Sequence, residues 1–391
     1  MGKKIGIEVS MAISEAAKLA DVDVVAAYPI TPQTHIVEEL ARMVADGDLD
    51  AEYIPVESEH SAMSACLGSS AAGARTFTAT AGQGLELMHE VLYVASAMRL
   101  PIVMAVANRA LSAPLNVWGD QSDMMAVRDT GWIQMICENG QEALDSTLIA
   151  FRVAEHPEVL LPVMVHCDGF YLTHVVEPIE MLEKANVTKF LPPFKYPLPL
   201  DADKPVTMGA FAPPVIYSET RKAQEVNLRK SKAIITQVWD EFHKVFGRKY
   251  RAVEKYKMDG AKTALLTLGS FGETAMTAVD NLQAAGQNVG LLKLRLWRPF
   301  PFEELKAAVK GVENLIVVDR CLSTGGPGGP AYSEIRSALY GEPNQPRIFG
   351  YIGGLGGRDV MVSEFENIIR QVETKVKTGA AQEFELFGVR G

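Results

Sequence analysis

Val22-Asp23-Val24-Val25-Ala26-Ala27-Tyr28-Pro29-Ile30-Thr31-Pro32-Gln33-Thr34 reads as a short buried strand that runs straight into a helix start. Residues 22–27 form a nearly uninterrupted apolar, β-branched run, the pattern of a strand covered on both faces of a parallel sheet. Thr31 is a good N-cap and Pro32 a good first helical residue, so a helix is expected over 32–45. Free amides and a hydroxyl at such a point can receive an anionic substrate. Thr-Pro is equally a common helix start with no functional meaning.

The same alternation continues outward from this stretch. Strands are expected over 53–56, 75–80, 101–107 and 160–165, with helices over 57–72, 84–98 and 141–154. This is the order of a parallel α/β sheet whose ligand sites gather at the carboxyl ends of its strands. Over 190–214 the pattern stops. Seven prolines there, at 192, 193, 197, 199, 205, 213 and 214, mark an extended arm. A long amphipathic helix is expected over 217–256. A second α/β unit follows, with strands over 263–268, 289–294, 315–318 and 347–351 and helices over 273–285, 302–309, 331–339 and 363–377. Two domains are therefore expected, 1–257 and 258–391.

The chain has 391 residues, 48% hydrophobic and 22% charged, enough for two cores. No run approaches the roughly 18 uncharged apolar residues of a membrane helix, and Met1-Gly2-Lys3-Lys4-Ile5 leads into no apolar signal core, so no membrane contact and a cytoplasmic location are expected. A net charge of −10 argues against nucleic-acid binding. Cys66, Cys137, Cys167 and Cys321 are far apart, with no C-x-x-C pair, and are expected to be buried thiols and not metal ligands.

Three more strand ends carry polar groups. The second leads into Val56-Glu57-Ser58-Glu59-His60-Ser61-Ala62, which puts two carboxylates in a first helical turn; the helix dipole alone would favour acids there. The third leads into Ala79-Thr80-Ala81-Gly82-Gln83-Gly84-Leu85, where glycines let backbone approach a ligand. The fourth ends in Asn108-Arg109-Ala110, before a long excursion through Trp118-Gly119-Asp120-Gln121-Ser122-Asp123. An arginine at a buried strand end needs an anionic partner or water, and a structural salt bridge would satisfy it as well as a ligand.

Together these segments resemble the α subunit of pyruvate:ferredoxin oxidoreductase and its 2-oxoacid relatives. The resemblance covers essentially the whole chain, through Arg128-Asp129-Thr130-Gly131-Trp132, Asp168-Gly169-Phe170, the proline-rich arm, Thr267-Leu268-Gly269-Ser270 and Arg298-Pro299-Phe300-Pro301. It implies a pyrimidine-type thiamine-diphosphate-binding parallel-sheet domain followed by a transketolase C-terminal-like α/β domain. By position, Glu59 would face N1′ of the aminopyrimidine, favouring the imino form that takes the thiazolium proton. Thr31 would touch the 2-oxoacid and Arg109 would hold its carboxylate. Tyr28, Pro29, Ile30, Gly82 and Gln83 would complete the cofactor's surroundings.

The resemblance also implies partners. The family holds the diphosphate and Mg²⁺ through a Gly-Asp-Gly segment on a β subunit, and no such segment occurs here. Iron–sulfur clusters are expected on a ferredoxin-like subunit, alongside a γ-type subunit, with coenzyme A as co-substrate and ferredoxin or a similar carrier as electron acceptor. The expected reaction is oxidative decarboxylation of pyruvate to an acyl-CoA and CO₂. Ala81-Gly82 departs from a serine-rich version associated with pyruvate, so a bulkier aryl or branched 2-oxoacid is the alternative, with a non-catalytic scaffold as another. Gly326-Pro327-Gly328-Gly329-Pro330-Ala331 fits the dinucleotide pattern G-x-G-x-x-A, but Pro330 removes an amide and no acid follows at the next strand end. A glycine-rich turn at a domain or subunit contact is the preferred reading.

Overall fold

The computed structural model describes residues 2–379 and 384–390. The first unit runs β1 (Lys4–Glu8), α1 (Val9–Leu19), β2 (Val24–Ala27), α2 (Thr34–Ala45), β3 (Glu52–Pro55), α3 (Glu59–Ala71) and β4 (Thr76–Thr80). It continues with α4 (Gly82–Leu87), α5 (His89–Ala97), β5 (Ile102–Asn108), α6 (Ser122–Ala126), β6 (Ile133–Ile136), α7 (Gly140–Ala154), β7 (Val163–Asp168), β8 (Val176–Glu180) and α8 (Lys184–Phe190). After the arm, α9 (Pro214–Phe246) leads to β9 (Val253–Tyr256), β10 (Thr263–Thr267), α10 (Phe271–Ala284), β11 (Val289–Leu294) and β12 (Leu296–Arg298). The chain closes with α11 (Phe302–Ala308), β13 (Asn314–Asp319), α12 (Pro330–Leu339), β14 (Arg347–Ile352), α13 (Val362–Thr378) and β15 (Phe384–Leu386).

The expected α/β class is what forms. One sheet has the order β12-β6-β7-β5-β4-β2-β3 and the other β15-β14-β13-β10-β11-β9, while β1 and β8 make an antiparallel ribbon. The central strands pair in parallel, and β5 and β10 are buried along their whole length. That double burial is why their sequences read as continuous apolar runs. Helices cover both faces of each sheet, so each sheet carries two apolar cores.

Several boundaries differ from the expectation, each for a local reason. Helix α2 begins at Thr34, because residues 30–33 close a turn through Gln33 N–H to Ile30 O (2.8 Å), which leaves Thr31 exposed instead of capping. In α3, Ser58 is the cap and accepts from Ser61 N–H (3.2 Å), so only Glu59 lies in the first turn and Glu57 stays outside on the surface. The helix expected over 84–98 starts at Gly82 and breaks at Met88 into α4 and α5. The long helix ends at Phe246, where Gly247 adopts the left-handed conformation of a C-terminal stop, and Val253–Tyr256 becomes an edge strand of the second sheet.

The two units exchange a strand. β12 follows β11 of the second sheet in the chain yet pairs antiparallel with β6 of the first, with Leu296 in the first unit's core. Met124 and Met125 of α6 in turn belong to a core of the second unit.

A buried ion pair joins the units beside these exchanges. Arg320, just past β13, meets Asp168 at the end of β7 (2.7 Å), the two side chains being 1% and 2% exposed. Ser270 donates to the same carboxylate through its N–H (2.8 Å) and hydroxyl (2.6 Å). The guanidinium also stacks on Phe271 (4.5 Å) and Tyr171 (5.0 Å) and donates to Gly119 O (2.9 Å). Arg320→Met keeps most of the bulk and leaves Asp168 buried without its cation. Urea unfolding is expected to show a loss of about 3–5 kcal/mol, and an unchanged midpoint would refute the pair's role in stability.

Candidate active site at the carboxyl ends of β2, β4 and β5

The chain leaves β2 for β3 on one side and returns to β4 on the other, so β2 and β4 are neighbours from which the connections diverge. A crevice opens outside the carboxyl ends of such a strand pair. Gln33, fully buried, spans it: its side-chain amide donates to Ala79 O on β4 (2.7 Å), and its oxygen accepts from Ile30 N–H (3.2 Å). The loop Tyr28-Pro29-Ile30-Thr31 is thereby held on the rim, with Tyr28 and Thr31 exposed.

Arg109 closes the crevice from β5. One terminal nitrogen donates to Thr31 O (2.6 Å) and the other to the Gln83 side-chain oxygen, so the backbone of Thr31 and the start of α4 are tied to one guanidinium. Its Nε is buried without a partner. No carboxylate pairs with it among the described residues; burial pushes its pKa below the usual arginine value, against the opposing charges of Asp123 and Glu59. Two of its five N–H groups are used by these neutral acceptors, so the cation retains donors for an anion.

Gly82 has φ of +47°, and a Cβ there would lie 2.4 Å from Arg109 Nε. The missing side chain is therefore replaced by the arginine itself. Gly82 by itself makes no extra room for the bulkier 2-oxoacid that was the alternative from sequence.

At Gly84 two polar groups converge. A Cβ there would lie 2.6 Å from Thr80 Oγ1 and 2.7 Å from Glu59 Oε1. The Thr80 hydroxyl is buried with no partner. Glu59 is 6% exposed at the first residue of α3 and makes no hydrogen bond or ion pair through its carboxylate among the described residues. A mostly buried carboxylate with no protein partner takes its donors from water or from a ligand. His60 and Glu57 face solvent; the Glu57 carboxyl lies below its usual range because Ser61 donates to it.

Sequence reading passed over Asp123, although it quoted the run that contains it. Its carboxylate is fully buried and accepts from Gly82 N–H (2.9 Å), Asn108 Nδ2 (2.8 Å), Arg109 N–H (3.0 Å) and Met124 N–H (2.7 Å). The signal available was an acid in a polar run just after a strand end that carries Asn and Arg.

Two other sequence features fall elsewhere. Arg128 and Arg298 line a groove of about 570 Å³ against α9, where both pair with Glu334. In the glycine-rich turn before α12, Asp319 already occupies the helix start, accepting from Ala331 N–H (2.8 Å) and Tyr332 N–H (3.0 Å). A dinucleotide phosphate would have to displace that carboxylate, which rules against the fingerprint reading.

Burial pushes the Asp123 carboxyl up to about 7, against the downward pull of its Asn108, Arg109 and Gly82 donors. An unfolded aspartate titrates near ~3.9, so between about pH 4 and 7 the folded chain holds a proton that the unfolded chain has lost. The folded form binds more protons there, and stability contributed by this group falls as pH rises through that window. Asp123→Asn removes the titration, so the difference in urea stability between pH 5 and pH 7 is expected to shrink. An unchanged slope would mean that the four donors keep Asp123 ionised throughout.

Comparison with known proteins places this geometry in context. The family model described as pyruvate flavodoxin/ferredoxin oxidoreductase, thiamine diP-binding, matches residues 15–240, and that of pyruvate:ferredoxin oxidoreductase core domain II matches 261–365. The chain is 52% identical to the pyruvate synthase subunit PorA of Methanocaldococcus jannaschii, over 93% of each chain. It is 48% identical to that of Thermotoga maritima, over 92% of this chain and 91% of the other. The ketoisovalerate oxidoreductase subunit VorA of Pyrococcus abyssi is 45% identical, over 92% of this chain and 91% of the other. Among solved structures, the 2-oxoglutarate:ferredoxin oxidoreductase of Magnetococcus marinus, with 2-oxoglutarate, coenzyme A and succinyl-CoA bound, superposes with a TM-score of 0.75 at 19% identity. That match covers 95% of this chain and 65% of the other. A split-gene transketolase, an inactive β4 tetramer, shares the fold with a TM-score of 0.55 at 12% identity, covering 95% of this chain and 99% of that one. Two family models in chain order and identities near one half lead to one conclusion: the chain belongs to the pyruvate flavodoxin/ferredoxin oxidoreductase family.

Proposed function

We propose that this chain is the pyrimidine-side subunit of a coenzyme-A-dependent pyruvate:ferredoxin oxidoreductase, with Glu59, Arg109 and Thr31 as its reacting face. The observation that carries the reading is Glu59, a mostly buried residue whose carboxylate lies against Gly84 with no partner among the described residues. The residues fit thiamine diphosphate on the same ground: beside Gly84, the Glu59 carboxylate, without a partner among the described residues, and the Thr80 hydroxyl, buried without one, offer polar contacts to a ring. When bound, the cofactor supplies the carbon nucleophile and the electron sink for decarboxylation.

Within this reading, Glu59 would hold a proton toward a ring nitrogen of the aminopyrimidine, and Tyr28, Pro29, Ile30, Gly82 and Gln83 would help hold that ring. Arg109 turns its remaining N–H groups to the substrate carboxylate, while its bonds to Thr31 O and Gln83 fix the direction of the fork. The Thr31 hydroxyl, exposed on the rim, reaches the oxo group.

Partner subunits belong to the same proposal. Asp123 has its oxygens filled by N–H donors, so the cluster offers Glu59 alone as an open carboxylate, which suits diphosphate and Mg²⁺ held by a β subunit. Iron–sulfur clusters, a γ-type subunit and ferredoxin complete the proposed assembly. The proposed division at 257/258 leaves Val253–Tyr256 on the first side of the line, although this strand pairs in the second sheet. A branched 2-oxoacid is the second reading, favoured by the 45% identity to a ketoisovalerate oxidoreductase subunit. Comparing kcat/KM for pyruvate and 2-ketoisovalerate on the assembled enzyme decides between them.

In the assembled complex, Glu59→Gln is expected to bind cofactor but slow hydrogen–deuterium exchange at the thiazolium carbon by about a hundredfold or more. Normal exchange in a cofactor-loaded variant would remove Glu59 from the mechanism. Arg109→Ala is expected to lower kcat/KM by about tenfold to a hundredfold, with Arg109→Lys recovering part of the loss. Melting temperature is recorded on the same samples; a large fall in it with unchanged kinetics for the surviving complex would make Arg109 a structural residue only.

A further inference from the structure

Away from the crevice, three potential ligands for a transition metal come together from separate parts of the chain. Glu8 ends β1, His35 lies in the first turn of α2, and His174 sits in the loop between β7 and β8. One ligand atom from each lies within 4.8 Å of the other two. His35 Nδ1 is 2.6 Å from Glu8 Oε1, and the two imidazoles pack with centroids 4.5 Å apart and planes tilted by 32°.

The backbone beneath these side chains is pinned. Val9 N–H donates to Val175 O (3.1 Å) and Ser10 N–H to Thr173 O (3.1 Å), which joins the end of β1 to the loop bearing His174. Ser14 Oγ donates to Ile36 O (2.9 Å), which ties α1 to the first turn of α2. Around the ligands, Thr173 Oγ1 lies 2.9 Å from His174 Nδ1 and itself accepts from Phe170 N–H (2.9 Å), and Phe170 packs on the His174 ring at 4.5 Å. A hydroxyl bonded to one imidazole nitrogen orients the ring and leaves the other nitrogen available, the usual arrangement around a ligating histidine.

We propose that Glu8, His35 and His174 form a divalent transition-metal site of the zinc or cobalt type, with its remaining position open to water. Zinc bonds of about 2.0–2.2 Å to nitrogen and oxygen place tetrahedral ligands roughly 3.3–3.5 Å apart, so side-chain rotation on the pinned frame suffices to close the set. Two imidazoles and one carboxylate select zinc, cobalt or nickel over magnesium and calcium, which take all-oxygen ligands. Half-buried side chains leave an entry path, His35 being 39% and Glu8 22% exposed. The site adjoins the rim loop: a Cβ at Gly169, in the loop that bears His174, would lie 2.6 Å from Pro32 Cγ. An ion would therefore tie the start of α2, just after Thr31, to the loop that bears His174, whatever reaction the crevice performs.

Without an ion the same residues are an ordinary Glu8–His35 pair with a second imidazole packed against it, and the experiment separates the two. Untagged full-length chain, stripped with a chelator, is titrated with Co²⁺ at pH 7.5 by visible absorption and with Zn²⁺ by calorimetry. The expected result is one equivalent bound with a tetrahedral or five-coordinate cobalt spectrum. Affinity should fall by about tenfold or more in each of His35→Ala, His174→Ala and Glu8→Gln, with metal-free circular dichroism unchanged. Absence of saturable binding, or equal affinity in the parent and all three variants, would overturn the assignment.

Discussion

Four N–H groups converge on the Asp123 carboxylate, and the geometry of the crevice follows from that convergence. Two of the donors are backbone amides of Gly82 and Arg109, which belong to adjacent strand ends. A carboxylate that accepts from both sets the spacing between the start of α4 and the end of β5. Arg109 can then lie across Gly82, and no larger residue fits at that position without displacing the guanidinium. From there Arg109 fixes Thr31 and Gln83, so one buried acid positions groups on three separate segments. Such a network is costly to leave incomplete; Arg109 Nε and Thr80 Oγ1 are buried without partners, and the Glu59 carboxylate has none among the described residues.

The second unit supports this arrangement directly. Asp120, in the excursion after β5, accepts from Gly356 N–H (3.0 Å), and Asn116 donates to Gly356 O (2.9 Å). Arg320 holds Gly119 O while its own carbonyl accepts from Gln121 N–H. The excursion that ends in Asp123 is thus clamped between sheets, and the rigidity of the first unit's site is partly supplied by the second.

The sheet strands were readable because burial on both faces leaves little choice of residue: β5 and β10 are apolar almost throughout. Short strands of three to five residues, β1, β6, β8, β9, β12 and β15, were not, since a run as short as Leu296–Arg298 has no periodicity to detect. The start of α2 moved because the 30–33 turn precedes it, and that of α3 because Ser58 caps it and leaves Glu57 outside. The strand ends that face the crevice were located by their polar residues, and the family resemblance tied them together. What could not be read was pairing across the crevice: Gln33 to Ala79 and Asp123 to Gly82 join residues 46 and 41 positions apart, a distance at which local pattern carries no information.

The strand exchanged between sheets has a consequence for synthesis on the ribosome. The first sheet lacks its β12 edge until residue 298 has been made, long after its other six strands are available. In the interval β6 presents an open edge, the kind of surface that recruits stray strands. A nascent chain protects this edge only by finishing β10 and β11 first, because β12 follows directly on β11. Maturation of the amino-terminal half is thereby coupled to elongation of the carboxyl-terminal half. A gene divided at the apparent border would yield two fragments, each missing an edge strand that the other carries.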